Sequence, residues 1–380
     1  KLIPRNDDVD RIKVLIKNFP VTAILGPRQC GKSTLSRFFN YDHYFDLENP
    51  RDERVFENPQ LALEKLKGLV VIDEIQRIPD LFPLIRYLLD NNSDQKYLIV
   101  GSASKDLIKQ GSESLAGRIA YYELTGFRYT DVNVNQFESH WLRGALPRSY
   151  LAENNEISSI WRINYIQTFL ERDIPQLGIT IPAKTLRRFW IMLSHYHGQL
   201  LNYSELSRSF GISDKTARHY LEILEGTFMI RLLQPWFINI SKRLVKAPKL
   251  YIRDSGIFHC LQSILENKDL YSHPKLGASW EGYVVEEVSK ILNKDDIYFW
   301  RTHNGAELDL FWQSQGRNWG IEVKYSDAPG MSRALKSVLE DLDLQHIWIV
   351  YAGEKKYQIA DNVTVLPFLY LKQELKNRFK

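Results

Sequence analysis

The sequence predicts an α/β chain assembled from successive parts, and three patterns predict it. From residue 21 to residue 124, short apolar runs alternate with stretches of helical spacing, as in a mostly parallel sheet covered by helices. From residue 185 to residue 250 the order is helix, short helix, turn, helix, strand. From residue 278 to residue 351 it is α-β-β-β-α-β. A chain of 380 residues is long for a single domain, so two or three are expected. The parts read as residues 1–130, a helical lid or linker at 131–184, then 185–250 and 251–380.

The first part is organised around residues 26 to 33, Gly-Pro-Arg-Gln-Cys-Gly-Lys-Ser, which form a complete G-x-x-x-x-G-K-S loop. The apolar run Val21 to Leu25 precedes it, and Thr34, Leu35, Phe38 and Phe39 read as the start of a helix. Strand, loop, helix is the context that makes this motif a phosphate-binding P-loop. Gly26, Pro27, Arg28, Gln29, Cys30, Gly31, Lys32, Ser33 and Thr34 are therefore expected to cradle the phosphates of a nucleotide. Lys32 is expected to reach the β/γ-phosphates, and the Ser33 hydroxyl to hold Mg²⁺.

The partner motif is Leu69-Val70-Val71-Ile72-Asp73-Glu74, a buried strand ending in two carboxylates. Asp73 is placed to bind Mg²⁺ and Glu74 to polarise an attacking water, a pairing that points to ATP hydrolysis with Mg²⁺ as cofactor. Tyr44 to Leu47 reads as a further strand, Pro59 to Lys67 and Leu81 to Leu89 as helices, and Tyr97 to Ser102 as the next buried strand. Ser102, ending that strand, has two readings: a contact to the γ-phosphate or water, or a plain helix cap. Gln76 is a candidate reader of nucleotide state. Arg118, just before the strand Ile119 to Leu124, is either a finger for a neighbour's γ-phosphate in a homo-oligomer or a solvated arginine.

In the middle, Gln136 to Leu142 and Ile157 to Leu177 have helical spacing. The second stretch carries Arg172, another candidate phosphate-sensing arginine. Leu186 to Tyr196, Tyr203 to Phe210 and a helix capped by Ser213 follow, then the strand Phe228 to Leu233. That order fits a winged helix, with Lys215, Thr216, Arg218 and His219 at the start of the recognition helix. DNA contact and a purely structural or protein-contact role both stand open. His195 and His197 lack further metal ligands nearby. Lys242, Arg243, Lys246 and Lys249 form a small basic run, read either as a phosphate-backbone contact or as a solvated connector.

The last part opens with a helix, Ala278 to Leu292, then a strand, Ile297 to Trp300. Two more strands follow, Glu307 to Trp312 and Gly320 to Tyr325. Side chains alternate along a strand, so Glu307 shares a face with Asp309, and Glu322 with Lys324. A hairpin turning at Gln315-Gly316 sets Asp309 opposite Glu322 and Glu307 opposite Lys324. Like charges so gathered repel unless a cation neutralises them, and Mg²⁺ takes oxygen ligands. Asp309 and Glu322 are expected to hold the ion, Glu281 to reach it as a third acid, and Lys324 to orient water or steady charge on a phosphate. Ordinary salt bridges on a polar sheet face, or a fold used only for binding, remain the alternatives. A helix from Pro329 to Leu342 and the strand His346 to Val350 close the part.

Composition adds little. A net charge of +4 is only a weak pointer to nucleic acid. Two cysteines, Cys30 and Cys260, fit a reducing compartment, and no apolar run is long enough to span a membrane, so a cytoplasmic location is expected. Neither cysteine has metal-ligand spacing.

Taken together, the motifs resemble those of prokaryotic ATPases that pair an AAA-type domain (AAA_14) with a C-terminal DUF4143 domain. The resemblance rests on Gly26 to Ser33, Asp73 to Gln76, Gly101-Ser102 and Leu115 to Arg118. Beyond these it rests on Arg172 to Ile174, the winged-helix pattern, Tyr251 to Gly256, Glu281, and Arg301 through Lys324. It implies a P-loop AAA-type ATPase core, a central winged helix and a C-terminal restriction-endonuclease-like domain similar to PD-(D/E)xK nucleases. Leu124 to Phe127 departs from the Pro-Leu-Ser type sequence of many relatives, which touches a structural turn and not the ATP site. Three functions follow as expectations: an ATPase coupled to a DNA-directed, nuclease-like module; an ATP-dependent protein-interaction switch whose last domain does not cut; and a nuclease that uses ATP only for assembly.

Overall fold

The computed structural model describes residues 3–92, 94–102, 115–237, 245–293 and 296–379. The chain divides into two compact units. One comprises Lys1–Phe127 with Gly226–Phe228, the other Arg128–Glu225 with Met229–Lys380.

In the first unit, helix α1 (Asn6–Asn18) leads into strand β1 (Val21–Leu25), all five residues of which are buried. A short helix, α2 (Lys32–Ser36), follows the P-loop motif. Then come β2 (His43–Asp46), α3 (Pro50–Val55), α4 (Pro59–Leu63), β3 (Gly68–Asp73), α5 (Leu81–Asn91), β4 (Gln95–Gly101) and β5 (Ile119–Glu123). The strands pair in parallel in the order β2-β3-β4-β1-β5. A parallel sheet buries both faces, which is why β1, β3 and β4 are nearly continuous apolar runs. Val21, Ala23, Val70, Ile72 and Ile99 pack with Leu81, Ile85 and Leu88 of α5 in one core. β4 lies between β1 and β3, with Leu25 beside Gly101 and Val100 beside Asp73. The C-terminal ends of these three strands therefore sit side by side.

In the second unit, α6 (Phe137–Arg143) and α7 (Asn155–Thr168) come first. The helix expected from Ile157 to Leu177 is not continuous. After Thr168 it widens into a π turn over Phe169–Asp173, then resumes only for Ile174–Gln176. The cause is Pro175, which lacks an N–H and crowds the carbonyl of Glu171. Helices α8 (Ala183–His195), α9 (Tyr203–Phe210) and α10 (Asp214–Gly226) follow, with β6 (Gln199–Leu200) between the first two. Asn202 caps α9 by accepting from Glu205 N–H, and the Ser213 hydroxyl accepts from Thr216 N–H at the start of α10. The strand expected from Phe228 starts instead at Ile230: β7 is Ile230–Leu233. Phe228 has a φ of 63°, and Met229 N–H is spent on the Leu224 carbonyl, so the ladder cannot begin earlier. β8 (Lys249–Ile252) is the middle strand of an antiparallel sheet ordered β6-β8-β7.

Helix α11 (Ser255–Leu261) then leads to the long helix α12 (Leu276–Leu292). A mixed six-stranded sheet is built from β9 (Tyr298–Arg301), β10 (Glu307–Ser314), β11 (Arg317–Lys324), β12 (Leu344–Tyr351), β13 (Tyr357–Ala360) and β14 (Val363–Pro367), in the order β13-β14-β12-β11-β10-β9. The β10–β11 hairpin turns at Gln315 and Gly316, both with positive φ, as a two-residue turn requires. Trp280, Val284, Val288 and Ile291 of α12 cover one face, with Leu310, Trp312, Ile321 and Trp348. Helix α13 (Arg333–Leu342) covers the other through Leu335, Val338 and Leu342. Helix α14 (Leu371–Arg378) adds Leu371 and Leu375 to the α12 side.

Three helices are shorter than their spacing suggests. α2 ends at Ser36, leaving Phe38 exposed, and α4 ends at Leu63. α13 begins at Arg333, because the Ser332 hydroxyl accepts from Leu335 N–H and fixes the start there.

Close backbone approach fixes Gly256 in α11: a Cβ there would lie 2.1 Å from the Arg143 carbonyl oxygen at the end of α6. Gly256→Ala is expected to cost about 1–3 kcal/mol through overpacking, read as a lower denaturant midpoint for the second unit.

Candidate functional site

Two constellations of charged side chains stand out, one in each unit. The first lies at the C-terminal ends of β1, β3 and β4. Gly26 follows β1 directly, and a Cβ there would come within 1.9 Å of the Leu124 carbonyl oxygen, so only glycine lets the loop leave at that point. Gly31 has a φ of 102° and opens α2. The loop is fastened from behind by Arg5, which is buried. Its guanidinium donates to the carbonyls of Cys30 (3.1 Å), Thr125 (3.0 Å) and Gly126 (3.2 Å) and pairs with Asp8 (2.7 Å). Sequence reading missed Arg5; the visible trace was an acidic residue three positions on. The Cys30 thiol, which donates to the Leu124 carbonyl, is pushed up by burial and is a packing group.

Lys32 is only 5% exposed. Its ammonium donates to the Gly26 carbonyl (3.0 Å) and the Pro27 carbonyl (2.9 Å), and lies 3.4 Å from the Ser102 hydroxyl. Ser33 is half-buried and Thr34 exposed. Arg28 pairs with Glu48 at 2.9 Å. Asp73 is buried; one oxygen accepts from Glu74 N–H and the other from the Tyr44 hydroxyl at 2.8 Å. Burial and the Asp73 charge push the Tyr44 hydroxyl up to about 12, so it stays a donor. Glu74 sits in the left-handed region (φ 57°, ψ 42°), a conformation costly for a non-glycine residue. Its carboxylate contacts the Gln76 amide. Burial raises its pKa, and the Lys32 charge pulls in the opposite direction. Arg118 does not face this group: it pairs with Asp90 at 2.6 Å, at a partly exposed position.

The second constellation spans β8, α12, β10 and β11. Sequence reading placed Lys249 in a basic run, either a phosphate-backbone contact or a solvated connector. The structure corrects this: Lys249 is 1% exposed, on the middle strand of the three-stranded sheet. Its ammonium lies 2.9 Å from Glu281, 3.2 Å from Asp309 and in contact with Glu307. Lys246 is exposed, and Lys242 and Arg243 fall outside the described residues. The β10–β11 ladder runs from Ser314–Arg317 to Leu310–Ile321. At its far end a bulge sets Asp309 and Leu310 against β9, between the Leu308–Trp300 and Phe311–Tyr298 pairs. Asp309 meets β11 through its side chain, accepting from Val323 N–H at 2.9 Å. Glu322 pairs with Lys324 at 2.5 Å, and its other oxygen is buried without a partner among the described residues.

Glu281, Asp309 and Glu322 were expected to surround Mg²⁺, with Lys324 beside them. The first two are brought together, but around an ammonium, and Glu322 turns to Lys324. Among the described residues, no group of three or more His, Cys, Asp or Glu side chains is disposed to hold a metal ion. The donor set does not fit a divalent cation, because the Lys249 cation already stands against the acids.

Elsewhere, Lys215, Arg218 and His219 are exposed and Thr216 half-buried, with the Arg218 guanidinium over the Tyr203 ring at 4.0 Å. Arg172 is exposed on the π turn. His197 is buried and pushed down to about 3 by that burial, while His195 is exposed. No helix among the described residues is long and apolar enough to cross a membrane.

Comparison with known proteins gives three matches to family models: an AAA domain (AAA_14) over residues 18–133, a domain of unknown function (DUF8612) over 134–268, and a domain of unknown function (DUF4143) over 276–371. The uncharacterized protein Rv2008c of Mycobacterium tuberculosis is 47% identical over 370 residues, covering 96% of this chain and 84% of its own. The uncharacterized protein Mb2031c of Mycobacterium bovis matches to the same extent. Among solved structures, the Walker-type ATPase PABY2304 of Pyrococcus abyssi aligns with 69% of this chain and 96% of its own, at 18% identity and a TM-score of 0.45.

Glu322 supplies a pH test. Burial, and next the Asp309 charge, push its carboxyl from the ordinary 4.5 up to about 8. A carboxyl raised on folding stabilises the folded chain below its unfolded pKa and loses that contribution as pH rises through the folded value. Glu322→Gln cannot ionise. Its stability relative to wild type is expected to improve by about 1–3 kcal/mol between about pH 5 and about pH 8. Denaturant melts at both pH values check this; a difference that does not change with pH refutes it.

Proposed function

The chain belongs to the family that joins an AAA domain to a DUF4143 region, and from that premise we propose that it binds ATP with Mg²⁺ and hydrolyses it. One observation carries the reading: Lys32, Ser102, Asp73 and Glu74 converge where the ends of β1, β4 and β3 lie side by side. The residues fit the ligands. The loop from Gly26 to Thr34 offers backbone and hydroxyl groups to phosphates, and the Lys32 ammonium rests on two loop carbonyls that phosphate oxygens would replace. Ser33 and Asp73 would hold Mg²⁺, which when bound neutralises phosphate charge. Glu74 would orient the attacking water and accept its proton; its raised pKa suits that task. Ser102, next to Lys32, would touch the γ-phosphate. Tyr44 fixes the Asp73 carboxylate by donating to it.

Arg118 is proposed as a finger toward a second copy of the chain, released from Asp90 on assembly. The second unit is proposed as the partner-binding part. The order α8, β6, α9, α10, β7, β8 is that of a winged helix, and Lys215, Arg218 and His219 form an exposed basic face on it for nucleic acid. Asp309, Glu322 and Lys324 have no part in the proposed chemistry, because the Lys249 ammonium stands against Asp309 and no metal-holding group occurs among the described residues.

Lys32→Ala is expected to weaken nucleotide binding or abolish hydrolysis. Glu74→Gln keeps the shape and loses the charge, so it should bind ATP and turn it over at least about 100-fold more slowly. Wild-type turnover by Glu74→Gln sinks the assigned role. Arg118→Ala should reduce turnover with binding intact, and mixing it with Lys32→Ala should restore part of the rate through the mixed interface. Failure of that mixture at concentrations where the chain self-associates rules out a finger in trans. Turnover with and without duplex DNA tests the basic face: stimulation that is lost in Lys215→Glu supports it.

A further inference from the structure

We propose that Lys249 is the permanent counter-cation of the acidic cluster in the second unit, and that this cluster locks the three-stranded sheet to the six-stranded-sheet domain without any divalent metal ion. An ammonium has three N–H donors. Here all of them have carboxylate acceptors: Glu281 at 2.9 Å, Asp309 at 3.2 Å, and Glu307 in contact. The acids come from two separate elements, Glu281 from α12 and the other two from β10.

The protein also occupies the second oxygens of Asp309 and Glu307 and adds a donor to Glu281. The second oxygen of Asp309 accepts from Val323 N–H, and that of Glu307 pairs with Arg301 at 3.2 Å. The Glu281 oxygen that meets Lys249 also accepts from the Tyr251 hydroxyl at 2.5 Å. A divalent ion such as Mg²⁺ or Ca²⁺ takes about six or more oxygen ligands, waters among them. To share Glu281, Asp309 and Glu307 it would have to displace the ammonium that already meets all three. Lys249 has no easy retreat. Its backbone is laddered on both sides, to Leu200 of β6 and to Leu233 of β7, and its side chain is 2% exposed.

The arrangement explains why a lysine is buried on a central strand at all. Three carboxylates on one side of a sheet repel each other, and Lys249 turns that repulsion into a joint. The joint has one end on β8 and the other on α12 and β10. The nearby Glu322 carboxyl pairs with Lys324 at 2.5 Å and does not meet the Lys249 ammonium in an ion pair among the described residues.

The test uses the full-length, nucleotide-free chain after treatment with a chelator. Titration calorimetry with Mn²⁺ is run on wild type and on Asp309→Asn, and thermal melting on wild type and on Lys249→Met, with and without Mn²⁺. Wild type is expected to show no heat that Asp309→Asn removes, and no melting shift with Mn²⁺. Lys249→Met keeps the length of the side chain and loses its charge. It is expected to melt several degrees lower and to recover with Mn²⁺, which supplies the missing positive charge, but not with K⁺ at matched ionic strength. A Mn²⁺ heat in wild type that disappears in Asp309→Asn overturns the proposal, whether or not Lys249→Met folds. So does a Lys249→Met chain that melts like wild type, or one whose loss Mn²⁺ leaves unrestored.

Discussion

A charge taken out of water must be met by an opposite charge or by a full set of hydrogen bonds, because its desolvation cost otherwise exceeds what folding supplies. Both units are built around solutions to that constraint. In the first, Arg5 is matched by Asp8 and three carbonyls, and Lys32 by two carbonyls of its own loop. In the second, Glu286 lies between Arg231 and Arg253, which outweigh its burial and hold its carboxyl down to about 2. Arg162, fully buried, meets the constraint only in part: it donates to the carbonyls of Leu142, Ser158 and Gly256, while its Nη2 has no partner among the described residues. Lys249 is met by three carboxylates. Apart from Lys32, each such group ties together elements far apart in sequence, so the positions of loops and strands follow from the charges as much as from the apolar cores.

The first unit shows how this prepares a site. The Lys32 ammonium is satisfied by the Gly26 and Pro27 carbonyls of its own loop. On the proposed function, phosphate binding would exchange one set of acceptors for another and would not rescue a bare charge. The same economy places Glu74. Its left-handed backbone costs of order 1–3 kcal/mol. The contacts that keep it there are Asp73, which accepts the Glu74 N–H, and Gln76, which reaches the carboxylate. Strain at this residue is held by its own strand end.

Much of this was legible in the sequence. The P-loop motif, the acidic pair and the buried strands of the first unit are local signals, carried by apolar runs and glycines whose spacing has one physical interpretation. The hairpin at Gln315-Gly316 and the apolar stripe of α12 were equally plain. What escaped depends on contacts distant in sequence. Lys249 sits among other basic residues, and nothing near it says that its side chain goes inward to acids 32, 58 and 60 positions away. Arg5 reaches carbonyls about 25 and 120 residues on. The bulge at Asp309 is invisible to an alternation rule, which assumes one residue opposite one. Pro175 did carry a local warning against a continuous helix, and it was the spacing of Tyr165, Phe169 and Leu170 that masked it.

The acidic cluster shows why a motif of charges is ambiguous until its cation is known. Carboxylates at alternating strand positions beside a lysine are what a metal site requires, and also what a buried salt-bridge joint requires. The two differ in where the positive charge comes from. Here it arrives on β8, from a part of the chain that precedes the cluster by many residues and folds as a separate sheet. A lysine delivered by the backbone is fixed in stoichiometry and cannot dissociate, whereas a metal ion can be gained and lost. The cluster is therefore suited to holding two parts of one unit in register, whereas at the strand ends of the first unit the Lys32 charge is matched by loop carbonyls and a hydroxyl.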